Sequence, residues 1–301
     1  MPQVSLSTMR ARGRFKHMKD FVANAKELGF TQIEPNSTLT PEMLDELMAI
    51  SVPISSIHCP CPAYLSSKGT PIASLSLSST EESERREAIV FAKKTIELAS
   101  RAGARAIIIH MGEVPVNPAI EDELRSLYNQ GLASSKKSFQ TKGQLISERN
   151  SKAPHHLEAA KRSLDELCQY SQPLRVMLGL EVRVHLHEMP NINEMEELLS
   201  GAKEIVGYWH DVGHAQVQQR LGFTPHEEWL RRFQDRMIGI HLHDVLGLSD
   251  HHIPGRGDIN WGIIVKYLPK GAIRTCEISE RDDERYMPQA VPFLQKMGVL
   301  G

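Results

Sequence analysis

The sequence predicts an α/β protein, one closed (β/α)8 barrel spanning its 301 residues with a long insertion after the fourth strand. Three observations lead there. Eight short runs of strand character alternate with helix-period segments, the pattern of a parallel sheet covered by helices. No linker-like break divides them, and an α/β barrel uses ~250 residues as a single unit. Seven of the eight runs end on an ionisable side chain, and the C-terminal ends of barrel strands all point to one rim.

In chain order the runs are 4–7, 31–34, 54–58, 106–110, 176–181, 206–211, 238–241 and 273–277. The clearest helix is 81–102, where apolar residues recur at three and four positions and Gly103 stops the run. Other helices are expected to start near Phe15, Pro41, His155, Asn193, His226, Asn260 and Asp283. Residues 112–154 interrupt the rhythm between strand four and its helix, and their stretch ASSKKSFQTKGQLISERNSK is poor in apolar residues. An insertion there lies on the C-terminal rim, where it would act as a lid or partner surface; a disordered excursion is the plain alternative.

Composition narrows the function. Apolar residues make up 41% and charged residues 24%, an ordinary globular balance, which excludes a disordered or single-sign polyelectrolyte chain. The net charge of −2 provides no global field for a polyanion, so nucleic-acid binding would need a local basic patch. No run approaches the ~20 apolar residues of a membrane span, and the N-terminus lacks the apolar middle of a secretory signal, so a cytoplasmic location is expected. Four scattered cysteines do not make a disulfide framework, and the lone CxC of HCPCP reads as a rigid loop before it reads as a zinc site. The anomaly is histidine: nine of 14 lie between His185 and His252.

The strand-end groups are Glu34, His58, His110, Glu181, Asp211, His241 and Glu277. So many titratable groups facing one cavity would repel and desolvate one another unless a cation neutralised them. Glu181, Asp211, His241 and Glu277 are separated by 30, 30 and 36 residues, about one strand–helix unit each. Three carboxylates and an imidazole form a hard, oxygen-rich set suited to Mn²⁺, Mg²⁺, Co²⁺ or Zn²⁺. Around them His214 follows Asp211 by three residues, His243 shares a strand face with His241, and Asp250 and His252 form a two-residue step able to chelate one ion. His185 and His187 read as a solvated strand exit, His155 and His156 as a solvated helix start, and His17, His210 and His226 as structural.

The motifs GLEVR, YWHDVGHA, GIHLHDV, DHHIPGRGDINW and CEIS resemble, in order and spacing, those of the xylose-isomerase-like TIM-barrel superfamily, which includes sugar isomerases and epimerases and the endonuclease IV class of apurinic DNA repair enzymes. The resemblance implies that Glu181, Asp211, His241 and Glu277 hold a divalent metal ion, that Glu181 and Glu277 act as acid and base on opposite sides of a sugar, and that His214 meets substrate or a second ion. His58, His110, Asp250 and His252 match the further zinc ligands of the endonuclease branch, so one ion is expected and up to three have ligands. Arg183 and Arg256 are candidate contacts to sugar hydroxyls or a phosphate. The expectation is a metal-dependent isomerase or epimerase with a small carbohydrate as its partner. A phosphodiesterase acting on abasic DNA is the alternative, disfavoured by the absence of basic clusters, and self-association is left open.

Overall fold

The computed structural model of the chain describes residues 3–202 and 204–300. Eight parallel strands form one sheet: β1 Ser5–Ser7, β2 Gln32–Glu34, β3 Ser56–His58, β4 Ala106–Ile109, β5 Met177–Glu181, β6 Val206–Asp211, β7 Met237–Leu242 and β8 Ile273–Cys276. Their order is β2-β1-β8-β7-β6-β5-β4-β3, and a parallel bridge between Ile33 and Ile54 joins the two ends. The barrel is thereby closed nearly all the way round. Every run read from sequence is a strand, within two residues at its start and one at its end.

Around the barrel lie α1 Met18–Glu27, α2 Pro41–Met48, α3 Glu82–Ala102, α4 Pro118–Asn129, α5 Lys136–Ser171, α6 Ile192–Gly201, α7 Val212–Arg220, α8 His226–Phe233, α9 Trp261–Tyr267 and α10 Ala290–Lys296. None is long and apolar enough to cross a membrane. Local chemistry sets the ends: Thr40 caps α2 with Pro41 at its first position, Asn191 forms a capping box with Glu194 on α6, and α3 stops at Gly103 in the left-handed region.

The structure departs from the sequence readings at three places, the first being the alternative reading of the insertion. Residues 112–154 are not a structureless excursion: α4 and the first half of α5 fill them and pack on each other as a helical hairpin. The helix expected from His155 starts at Lys136 and continues through Pro154. Its buried face is Ser138, Thr141, Leu145, Arg149 and Ala153. The spacing is helical but, Leu145 apart, the residues are small or polar, so hydrophobic periodicity could not find it. Near Asp283 the chain first makes a 3-10 turn, Glu284–Gln289, before α10.

Strand alternation sends side chains either into the lumen or out to the helices. Trp209 fills the lumen beneath the rim with Ala106, Ile108 and Ile273. Its ring needs glycines on neighbouring strands: a Cβ on Gly239 would lie 2.1 Å from it and one on Gly179 2.9 Å. Above this plug the register aligns Asp211 with His241 and Glu181 with Trp209, so the acids collect in one layer at the C-terminal mouth.

Candidate metal and catalytic site

The ligand atoms of Glu181, Asp211, His241 and Glu277 lie within 4.8 Å of one another, and all four residues are buried. His241 is the centre. Its Nδ1 is 2.6 Å from Glu181 Oε1, 3.3 Å from Glu277 Oε2 and 3.5 Å from Asp211 Oδ2. Its Nε2 lies 2.9 Å from Glu34 Oε1, and Glu34 Oε2 accepts hydrogen bonds from Ser56 Oγ and Thr275 Oγ1. A carboxylate below the ring that accepts a hydrogen bond from Nε2–H leaves the Nδ1 lone pair of the neutral imidazole directed at the acids, the orientation a metal-binding histidine requires.

Asp211 is prepared in the same way. Its Oδ1 accepts from the His214 amide at 2.7 Å and faces His243 Nε2 at 2.9 Å. His243 Nδ1 in turn accepts from the His251 amide, so Nε2 carries the proton. Oδ2 is buried and has no hydrogen-bond partner among the described residues. An orphaned carboxylate oxygen in the interior costs ~1–3 kcal/mol or more, and a cation among the four ligands removes that cost. The donor set and this bare oxygen therefore fit a divalent ion.

The charges follow from the crowding. Burial alone would raise the Glu181 and Asp211 carboxyls, but the neighbouring imidazoles outweigh it and hold both well below the usual range. Burial likewise raises Glu277, and His241 and His251 reverse it. Burial disfavours the imidazolium of His241, yet Glu277, Glu34 and Glu181 push its pKa well above the ordinary value.

On one flank His58 Nε2 is 3.6 Å and His110 Nε2 2.6 Å from Glu181 Oε2. Arg183 enters this arm, its Nη1 2.5 Å from His110 Nε2 and 3.0 Å from Glu181 Oε2, while Glu188 holds the other side of the guanidinium at 2.7 Å. Burial, then Arg183 and His58, lower the His110 pKa to about 4. On the opposite flank His214 Nδ1 donates to the Val182 carbonyl at 2.9 Å, leaving Nε2 bare, 3.8 Å from Asp250 Oδ2. Gly213 permits this approach, since a Cβ there would lie 2.4 Å from the His243 ring. Asp211, His214 and His251 form a second group of ligand atoms within 4.8 Å.

Two expected residues are placed elsewhere. His252 turns to Asp282 and Ser249, at 2.9 and 3.0 Å, and His251 takes its place with Nδ1 3.0 Å from Asp250 Oδ1 and Nε2 3.5 Å from Glu277 Oε2. The cause is local: His251 has φ +59°, which breaks the two-residue alternation that made Asp250 and His252 a pair. Arg256 is exposed, with its guanidinium 3.6 Å over the Tyr286 ring. Glu34, His243 and His251 were outside the expected ligand set; the first two carried a signal, a strand end and a shared strand face. His185 and His187 are not simply solvated, for both reach Glu121 on α4. Burial pushes the Cys59 thiol up to about 12 and the Cys61 thiol higher still.

The sequence matches the xylose isomerase-like TIM barrel family over residues 22–297, and the chain belongs to that family. An uncharacterised protein of Sinorhizobium fredii is 23% identical over 215 residues, which cover 71% of this chain but only 58% of that protein's length. A D-tagatose 3-epimerase-like protein superposes with TM-score 0.68 at 18% identity, covering 99% of this chain and 97% of that one. The 3-keto-D-glucoside 4-epimerase of E. coli gives TM-score 0.68 at 13% identity, covering 98% and 100%. At such identities these structures share the fold.

Proposed function

We propose that this chain is a divalent-metal-dependent isomerase or epimerase of a sugar or sugar phosphate, moving a proton at a carbon next to a carbonyl. The observation that carries the reading is the buried quartet Glu181, Asp211, His241 and Glu277, with Asp211 Oδ2 left without a hydrogen bond among the described residues. An ion bound there would supply Lewis-acid polarisation of the substrate carbonyl and a template for the neighbouring hydroxyl.

The chain's own groups divide the remaining work. Both glutamates rest as carboxylates, each able to accept a proton. Glu181 Oε2 is already taken by His110 and Arg183, whereas the Glu277 contacts recorded to His241 and His251 are longer, 3.3 and 3.5 Å. Glu277 is therefore assigned removal of the carbon-bound proton, and Glu181 its return on the other side. Positioned acid–base groups of this kind contribute ~10²–10⁴-fold. His214, with Nε2 bare, and Arg183, braced by Glu188, are placed to orient hydroxyls or a phosphate. The epimerase names of the two superposed structures agree with this reading.

The alternative, a multinuclear phosphodiesterase, has the group Asp211, His214 and His251 in its favour. Against three ions stands Arg183, whose guanidinium already lies in the His58–His110–Glu181 arm. The test is a panel of ketoses, aldoses and their phosphates in deuterated water with Mn²⁺, beside an abasic-site oligonucleotide. Deuterium entering a carbon next to a carbonyl is expected; cleavage of the oligonucleotide with three zinc ions per chain, and exchange into no sugar, would overturn the reading.

A further inference from the structure

Glu121 on α4, buried at 3% exposure, lies against two histidines of the loop that follows β5. His185 Nδ1 is 2.6 Å from Glu121 Oε1 and His187 Nδ1 is 3.3 Å from Oε2. The ligand atoms of the three lie within 4.8 Å of one another. Glu113 Oε2 stands 3.8 Å from His187 Nε2. Unlike Glu121, the imidazoles are open to solvent, with 40% and 22% of their side chains exposed, so an ion has a path in.

The histidines are held in place by groups that do not belong to the cluster. Arg149 on α5, itself 1% exposed, donates to the carbonyls of Leu186 and Glu188 while forming a bidentate pair with Glu194. The Val114 amide donates to the His187 carbonyl at 2.8 Å, and residues 112–113 pair in a short antiparallel ladder with 188–189. The His185 amide donates to Glu188 Oε2. A loop fixed this thoroughly loses little freedom on binding an ion, and preorganisation of that kind raises affinity.

One charge opposes a cation. Arg125 Nη2 lies 3.0 Å from Glu121 Oε1 and 3.1 Å from His185 Nδ1. The His185 nitrogen therefore faces a carboxylate that requires it to donate and a guanidinium that requires it to accept. A single ring nitrogen does not serve both, and Arg125, one-fifth exposed, is able to leave.

We propose that Glu121, His185 and His187 form a metal site separate from the barrel quartet, binding a divalent transition ion of the zinc class and clipping α4 to the rim loop that carries Arg183. Two imidazoles and a carboxylate are the donors of an open zinc site, with bonds of ~2.0–2.2 Å and a fourth position for water. Through His185, Glu188 and Arg183 the clip reaches the Glu181 arm, so filling it steadies Arg183. The site does not depend on what reaction the barrel performs.

The test is titration of Co²⁺ into the metal-stripped full chain, following its visible absorption and stoichiometry. His187→Ala should bind one ion per chain fewer than wild type with circular dichroism unchanged. In a Glu181→Gln/Asp211→Asn background, where the quartet is disabled, one ion should remain and disappear on adding His187→Ala. Arg125→Gln should tighten this site severalfold, because it removes the competing cation; an ion-pair brace alone would gain no ion affinity. Equal stoichiometry in wild type and His187→Ala, or unchanged affinity in Arg125→Gln, would overturn the proposal, and either result leaves the reading of the quartet untouched.

Discussion

Two buried histidines, on adjacent strands, differ in everything except burial. His210 and His241 are both fully buried. His210 points outward to the helix layer, where Tyr208 Oη lies 2.7 Å from Nδ1, His226 Nε2 3.0 Å from Nε2, and Gln216 Oε1 3.0 Å from the far nitrogen of His226. Among the described residues no carboxylate joins that chain of contacts. Burial pushes His210 well down and His226 down to about 4, keeping both neutral. His241 meets the same desolvation in the lumen, but four acids surround it and its pKa is driven up. Burial makes a histidine part of a core; the acids it meets make it part of a site.

The largest effect that sharpens this contrast belongs to the lumen. Glu277→Gln keeps shape and a carbonyl oxygen but removes charge and basicity, and turnover should fall by ~10²–10⁴-fold, unrescued by excess metal. Exchange of the substrate's carbon-bound proton with deuterated water, undiminished in the variant, would remove Glu277 from proton transfer.

The outer pair should act on stability. His226 has a folded pKa of about 4, below its unfolded value of 6.5, so the neutral form's contribution is complete above pH 6.5 and is lost as pH falls towards 4. At ~1.4 kcal/mol per unit the difference amounts to roughly 3–4 kcal/mol at most. Urea midpoints of wild type and His226→Gln across pH 7 to 4 should converge at the acid end; parallel curves would break the comparison.

A smaller effect is expected at Glu34, which reaches the quartet through the far nitrogen of His241. Glu34→Gln should weaken metal binding ~10–100-fold while leaving kcat near wild type at saturating metal. A fall in kcat that metal does not restore would place Glu34 in the chemistry instead. Least affected should be Arg256→Ala, since Arg256 is engaged with Tyr286: KM should change little, and a large rise would return this arginine to the substrate.

Much of this was legible because barrels write their sites in strand ends. Seven of the expected strands end on an acid or histidine, and one-per-strand spacing grouped Glu181, Asp211, His241 and Glu277, whose ligand atoms lie within 4.8 Å of one another. What escaped depends on geometry that spacing does not encode. The positive φ of His251 exchanged it for His252. The buried face of the first half of α5 carries Ser138, Thr141, Arg149 and Ala153 around one leucine, Leu145, which is too little to show as a hydrophobic period. The partner of His185 and His187 lies about 65 residues away on that hairpin, as the separations of 64 and 66 show.

The measurement that bears most directly on the account is metal content after dialysis against limiting Mn²⁺ or Zn²⁺, for wild type, Asp211→Asn and His210→Gln. Asparagine preserves the cap on α7, since its side-chain oxygen still accepts from the His214 amide, but it lowers the charge where Oδ2 stands bare. The account predicts that Asp211→Asn loses one tightly held ion and with it turnover, at unchanged circular dichroism, while His210→Gln keeps the ion and loses only stability. Wild-type metal content and affinity in Asp211→Asn would contradict it.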